Sequence, residues 1–198
     1  MKIRELTILE MKNIYETEMQ RDFLPQELKP LADILRLREE NLYVGYGWFE
    51  EEELRAYAFL CRAKEGSCLL LDYFAVCAPF RSMGYGSQCL MNLREVCGQY
   101  AGILAEVEDA DAVEEGAERR HRQKRISFYE RNQLRHTRLV CRLFGVDYIL
   151  MYAPCGQDLP DEALFKEMEG IYHTLFDPER YEKHVRFHWR LEEERAGN

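Results

Sequence analysis

A short loop with two glycines and an arginine precedes a predicted helix in the segment PFRSMGYGSQCLMNLREV, residues 79–96. The first N–H groups of a helix have no partner within the helix and lie at the positive end of its dipole, so they can bind anions. Glycine lets a ligand come close to the backbone, and arginine adds a permanent positive charge. The spacing of Arg81, Gly84 and Gly86 therefore predicts a diphosphate site, the alternative being an ordinary turn with a surface arginine.

Three known phosphate-binding patterns can be compared with this loop. A P-loop has Gly-Lys-Ser/Thr at the start of its helix, whereas this sequence has Gly86-Ser87-Gln88. The dinucleotide pattern G-x-G-x-x-G needs a third glycine where Cys89 stands, although Glu106 lies about 20 residues downstream, where a ribose-binding acid is expected. The pattern R/Q-x-x-G-x-G/A is matched in full by Arg81-Ser82-Met83-Gly84-Tyr85-Gly86.

The third pattern resembles the pyrophosphate loop of the GCN5-related N-acetyltransferases, the GNAT superfamily. The wider phrase LDYFAVCAPFRSMGYGSQCL resembles their central strand, loop and third helix, and the order of elements is similar from residue 2 to residue 153. Downstream, RISFYERNQ is similar to the family phrase A-x-x-F/L-Y-E-K/R-x-G-F. The resemblance implies an N-acetyltransferase that transfers an acetyl group from acetyl-CoA to a primary amine by direct attack.

The same resemblance implies which residues would bind acetyl-CoA. The backbone of Phe74 and Val76 would pair with the pantetheine arm like an added strand, in a cleft between the fourth and fifth strands. The Val76 N–H could also polarise the thioester oxygen. The residues expected at the diphosphate are Arg81, Ser82, Met83, Gly84, Tyr85, Gly86 and Ser87.

Tyr129 falls where many members of that family place the acid that protonates the departing thiolate. A tyrosine with a pKa of about 10 can serve as the donor to a thiolate whose pKa is about 8.5, and a packed core tyrosine is the structural alternative. The surrounding positions differ from the family phrase. The usual Asn and Ala are replaced by Arg122 and Arg125, and Gln133-Leu134 stands in place of Gly-Phe.

These two arginines belong to the basic run RRHRQKR, residues 119–125. A charge run of this kind is by default a solvated helix face, here one that balances the acidic loop before it. The functional alternative is that Arg122 and Arg125 contact the phosphates of CoA.

Two carboxylates are candidates for the base that takes a proton from the amine. Glu106 lies in the middle of a predicted strand, on the same face as Glu108, where the resemblance implies a carboxylate acting directly or through water. Asp72 interrupts the apolar run CLLLDYFAV, and a buried carboxylate is unfavourable unless it is paired or functional. The structural alternative for Glu106 is a solvated or ion-paired strand residue, and Asp72 could instead cap a helix or pair with a helix arginine.

Composition restricts the other classes of function. The chain has 198 residues, of which 46% are apolar and 32% charged, as in a globular domain. Its net charge of −9 argues against a general nucleic-acid binder. No apolar run is long enough for a membrane helix, and MKIRELTILEMKN lacks the features of a signal peptide. Seven scattered cysteines without zinc spacing predict no metal site and a reducing cytoplasm.

Periodicity predicts a first strand at residues 2–9, a helix at 10–22, and helices that flank the later strands. The expected fold class is α/β (α+β), a GNAT-like mixed, mostly antiparallel central sheet of about six or seven strands. Residues 1–154 are predicted to form the acetyltransferase domain, and residues 155–198 a helical C-terminal extension. The apolar stripe of that extension must pack on the domain or on a partner subunit, so a homodimer is one option.

The leading hypothesis is thus a cytoplasmic N-acetyltransferase that uses acetyl-CoA, needs no metal, and acts on a small-molecule or peptide amine. Neither nucleic acid nor membrane is an expected partner. The alternative is a non-catalytic acyl-CoA-binding or interaction module, suggested by Arg122, Arg125 and Gln133, which would bind CoA without turnover. A nucleotide-linked oxidoreductase is a third hypothesis, and it would bind NAD without binding CoA.

Overall fold

The computed structural model describes residues 1–190 of the chain. Eight strands are found among these residues: β1 (Lys2–Glu5), β2 (Tyr43–Glu50), β3 (Glu53–Cys61), β4 (Cys68–Val76), β5 (Gly102–Glu108), β6 (Arg135–Leu143), β7 (Val146–Pro154) and β8 (Val185–Trp189). The α-helices are α1 (Ile8–Ile14), α2 (Gln20–Asp22), α3 (Leu31–Glu39), α4 (Tyr85–Val96), α5 (Ala117–Arg131), α6 (Asp161–Leu175) and α7 (Pro178–His184).

The strands follow the order β1-β2-β3-β4-β5-β7-β6-β8 in one sheet. The pairs β1–β2, β2–β3, β5–β7, β6–β7 and β6–β8 are antiparallel, whereas β4 and β5 are parallel. The parallel ladder joins Cys68–Leu70 to Gly102–Leu104. The expected fold class, a mixed and mostly antiparallel sheet flanked by helices, is therefore confirmed.

Two compact units can be distinguished within the chain. The first contains residues 1–62 and 71–96, and its buried core includes Met11, Ile34 and Trp48. The second contains residues 63–70 and the described chain from Cys97 onward. Its core includes the stripe on α6 that the sequence predicts to be buried, formed by Leu164, Met168, Ile171 and Tyr172.

The first strand is shorter than the sequence pattern predicts, because a helix cap interrupts it. The Thr7 side chain accepts a hydrogen bond from the Glu10 N–H, and the Thr7 N–H donates to the Glu10 carboxylate at 2.8 Å. Hydrogen bonds from Arg4 and from the Thr7 backbone lower the pKa of Glu10 to about 2. The sequence Thr-x-x-Glu is a capping box, so α1 begins at Ile8 and β1 ends at Glu5.

The segment after α7 also differs from the expected helical extension. Val185–Trp189 is a strand that pairs with β6, with Cys141 opposite Phe187. The segment is rich in valine and aromatic residues, which are enriched in strands. Its pairing with β6 adds an eighth strand to the sheet.

Candidate active site

The glycine loop lies between β4 and α4, as the sequence predicts. A 3₁₀ turn at Ala78–Phe80 follows β4, and α4 begins at Tyr85. Gly84 has φ +83°, and a Cβ placed on it would have no heavy atom within 4 Å. The first turn of α4 contains no acidic residue. The helix N-terminus thus keeps its positive character beside open space, and the left-handed backbone explains why residue 84 is glycine.

Arg81 is exposed, but its guanidinium has two protein partners. Its Nε donates to the carbonyl of Val76 at 3.0 Å, and its Nη2 is paired with the carboxylate of Asp22. The Asp22 carboxylate is buried and also accepts a hydrogen bond from the Tyr57 hydroxyl at 2.8 Å. In this structure the arginine therefore fastens the loop to the end of β4 and to α2.

The two residues expected at the pantetheine arm, Phe74 and Val76, are half-buried near the end of β4. The Phe74 ring meets the ring of Trp48 edge to face, with centroids 6.1 Å apart. Val76 is held by the Arg81 bond to its carbonyl. Both residues lie beyond the part of β4 that pairs with β5.

Asp72 is buried and has two strong partners within the first unit. The Lys29 Nζ lies 2.6 Å from one carboxylate oxygen, and the Tyr43 hydroxyl donates to the other. Burial and the nearby carboxylate raise the pKa of Tyr43 well above its ordinary value, so this hydroxyl remains a donor. Asp72 thereby anchors the bend that precedes α3. The partner is a lysine from that bend and not the expected helix arginine.

Glu106 lies in the middle of β5 and is half-buried. Its carboxylate accepts a hydrogen bond from the hydroxyl of Tyr172, a residue of α6. The Tyr172 side chain is fully buried. The sequence shows Tyr172 only as one member of an apolar stripe, and nothing in that pattern indicates a partner 66 residues away.

Tyr129 lies near the end of α5, next to the ring of Phe128 at a centroid distance of 5.3 Å. Its hydroxyl makes no hydrogen bond to any of residues 1–190. Burial raises the pKa of Tyr129 above its ordinary value, and the nearby Arg125 acts in the opposite direction. The phenol is therefore protonated at neutral pH, as a proton donor must be.

The basic face of α5 pairs with the end of β5. Glu108 lies 3.4 Å from both Arg122 and Arg125, and the Arg122 Nε is 2.9 Å from Glu118. Arg122 also donates to the carbonyl of Asp109 at 3.1 Å. Both arginines are thus paired with carboxylates, and Arg122 is buried and so does not lie on a solvated helix face. To contact the phosphates of CoA, Arg122 and Arg125 would have to form additional hydrogen bonds or give up these protein partners.

Gln133, which stands in place of the family glycine, keeps the backbone geometry that glycine favours. Its φ is +66°. The Leu134 N–H bonds the Tyr129 carbonyl at 3.1 Å, and the Gln133 N–H bonds the Glu130 carbonyl at 2.9 Å. These two bonds form a Schellman motif that ends α5. The departure from the family phrase therefore leaves the turn after Tyr129 intact.

Replacing Gln133 with Gly should stabilise the protein, because glycine occupies the left-handed region without the Cβ strain. We expect the free energy of unfolding to rise by about 1 kcal/mol, and Tm by about 3 °C. Thermal unfolding followed by circular dichroism measures the shift. Gln133→Ala is the matched control, since it removes the same side chain but keeps the strain. Equal Tm values for the Gly and Ala variants would contradict this explanation.

Within residues 1–190, no group of three or more His, Cys, Asp or Glu side chains is arranged to hold a metal ion. None of the helices in the same range combines the length and apolar character needed to cross a bilayer.

Many solved structures have the same fold. The three that follow are each less than 25% identical to this chain. An acetyltransferase-family protein from Bacteroides thetaiotaomicron is 22% identical, with a TM-score of 0.62 over 88% of this chain and 96% of that one. The ribosomal-protein-S18-alanine N-acetyltransferase of Escherichia coli is 16% identical, with a TM-score of 0.55. The match covers 80% of this chain and 96% of that one. An aminoglycoside 6′-N-acetyltransferase complexed with coenzyme A is 13% identical, with a TM-score of 0.60. The match covers 80% of this chain and 99% of that one.

Sequence comparison identifies the family directly. A search of curated proteins found no match. In contrast, the sequence pattern that defines the acetyltransferase (GNAT) family matches residues 4–132, which include the glycine loop, Glu106 and Tyr129. This match covers well over half of the chain. The chain therefore belongs to the acetyltransferase (GNAT) family.

Proposed function

We propose that this protein is an N-acetyltransferase that transfers an acetyl group from acetyl-CoA to a primary amine by direct attack. The observation that carries the proposal is the loop at residues 81–87, with Gly84 at φ +83° directly before the N-terminus of α4. Membership of the acetyltransferase family supports the reaction class. The acceptor is a small-molecule or peptide amine.

The loop residues fit a diphosphate group. Residues 81–84 are exposed, and Gly84 faces open space that a bound group could fill. The amides at the start of α4 and the positive helix end would bind the phosphate oxygens. Because Arg81 is paired with Asp22, we assign diphosphate binding mainly to backbone amides, with Arg81 supporting the loop.

When bound, acetyl-CoA would supply an acetyl group activated as a thioester. The backbone of Phe74 and Val76 would hold the pantetheine arm like an added strand, with the Val76 N–H directed at the thioester oxygen. Arg122 and Arg125 are candidates for further phosphate contacts.

Two side chains would handle the protons of the reaction. Glu106 would take the proton that the amine loses as its N–C bond forms. Tyr129 would give its hydroxyl proton to the sulfur as the C–S bond breaks. Each such transfer contributes a factor of about 10² to 10⁴ in rate. We assign the base role to Glu106 over Asp72, because Asp72 is already paired with Lys29 and Tyr43.

The two glycines at positive φ allow a controlled test of the diphosphate site. Gly84 and Gly145 have φ values of +83° and +87°, and neither has an atom within 4 Å of an added Cβ. Substitution with Ala should therefore strain both positions to a similar degree. Only Gly84→Ala should weaken CoA binding, by about tenfold, or 1.4 kcal/mol. Titration calorimetry with CoA measures the Kd of both variants.

Equal CoA affinity in both variants and in the wild type would contradict the assignment of the loop. Transfer itself is tested by release of free thiol from acetyl-CoA with a panel of polyamines, aminoglycosides and peptides with free N-termini. Tight CoA binding without turnover on any amine would favour the non-catalytic alternative. Binding of NAD without CoA would favour an oxidoreductase.

A further inference from the structure

We infer that Tyr172, in the C-terminal segment beyond the family match, positions Glu106 for its role as the base. This inference rests on the proposed function and deepens it. The pattern of the family covers residues 4–132, whereas Tyr172 lies on α6, which spans Asp161–Leu175. The hydroxyl of Tyr172 donates a hydrogen bond to the Glu106 carboxylate. A residue outside the family region thus holds a side chain inside it.

The Tyr172 hydroxyl is the donor in its contact with Glu106. Burial and the negative charge of Glu106 raise the pKa of Tyr172 well above its ordinary value, so the phenol stays protonated. Burial also raises the pKa of the Cys141 thiol, on β6, to about 12. This thiol therefore stays neutral as well and adds no negative charge near Tyr172.

The aromatic ring of Tyr172 packs against two other aromatic rings. It stacks on the ring of Phe187 in β8, with centroids 5.5 Å apart, and lies 5.8 Å from the ring of Phe176. The strand that the sequence pattern does not reveal, β8, thereby contributes one wall of the ring's site. A ring packed in this way has little freedom to turn its hydroxyl away from Glu106.

The helix that carries Tyr172 is itself fixed to the start of β4. The Glu167 carboxylate accepts hydrogen bonds from the Ser67 N–H at 2.9 Å, the Ser67 hydroxyl at 2.7 Å and the Cys68 N–H at 3.0 Å. Gly170 faces Ala63 so closely that an added Cβ would lie 3.1 Å from the Ala63 Cβ. Since α6 is clamped near its middle, the position of Tyr172 relative to β5 is well defined.

A carboxylate held by a directed donor spends more time in one orientation than a free glutamate does. Correct orientation of a catalytic group has a large effect on rate, since small misplacements lower it severely. Tyr172 does not itself need to touch the substrate. Its effect would be on kcat and would act only through Glu106.

Tyr172→Phe tests this role, because it removes only the hydroxyl and preserves the ring packing. We expect kcat to fall about tenfold, while KM for acetyl-CoA stays within about twofold of wild type. In the background of Glu106→Gln, the same substitution should cause no further loss of kcat. Tyr152→Phe is the matched control. Tyr152 is also fully buried, and its hydroxyl hydrogen-bonds the backbone carbonyls of Ala101 and Gln157, so the kcat of this variant should not change.

The possible outcomes separate this inference from the proposed function. An unchanged kcat in Tyr172→Phe, together with a large loss in Glu106→Gln, would overturn the positioning role alone. Additive losses in the double variant would also overturn it, because Tyr172 would then act independently of Glu106. An unchanged kcat in Glu106→Gln would remove the base assignment itself, and the inference with it.

Discussion

Glu106→Gln is expected to lower kcat at pH 7 by about 100-fold, because the amide cannot accept the proton that the amine loses. The Gln side chain keeps the shape of Glu and can still accept the hydrogen bond from Tyr172. The deficit should persist up to about pH 10, because even an amine that arrives neutral must lose a proton as its N–C bond forms. Release of free thiol from acetyl-CoA, measured from pH 6 to pH 10, gives the profile.

Asp72→Asn is the comparison variant for this experiment, since Asp72 is the other candidate base. Its carboxylate binds Lys29 and Tyr43, so the substitution should lower Tm by removing the buried ion pair between Asp72 and Lys29. At a temperature where the variant is folded, kcat should stay close to wild type. A large loss of kcat in Asp72→Asn with full activity in Glu106→Gln would reverse the assignment.

Tyr129→Phe is the second substitution with a large expected effect, a fall in kcat of about 100-fold. In the proposed mechanism the phenol supplies the proton for the departing sulfur, and without it a free thiolate would have to leave. The Tyr129 hydroxyl has no hydrogen-bond partner among residues 1–190, so its removal should cost little stability. Tyr100→Phe is a suitable control, because Tyr100 is also half-buried and its hydroxyl makes no bond to the described residues.

The pH dependence of kcat in the wild type tests the direction of the Tyr129 pKa shift. Burial raises the pKa of Tyr129, and an acid is lost only as the pH rises through its pKa. The alkaline fall in kcat should therefore begin above about 10, the ordinary pKa of tyrosine. An alkaline fall near pH 8 that disappears in Tyr129→Phe would contradict the direction of the shift. Equal kcat in wild type and Tyr129→Phe at every pH would contradict the acid role.

Local patterns in the sequence were sufficient for most of the elements and for the place of the glycine loop. The loop residues are contiguous, and the left-handed φ at residue 84 follows from glycine itself. The apolar run of β4 and the stripes of α4 and α6 have the spacing of buried elements. The sequence also contains the capping box Thr7-x-x-Glu10, which ends the first strand before the predicted residue 9.

The partners of the candidate site residues were decided by the tertiary structure alone. Arg81 binds Asp22 across 59 residues, Asp72 binds Lys29 across 43, and Glu106 binds Tyr172 across 66. The strand β8 forms only because the edge of β6 is available to it. Periodicity reports which face of an element is apolar, because burial depends on local spacing. It carries no information on which distant donor meets a given carboxylate, since that depends on how the elements pack.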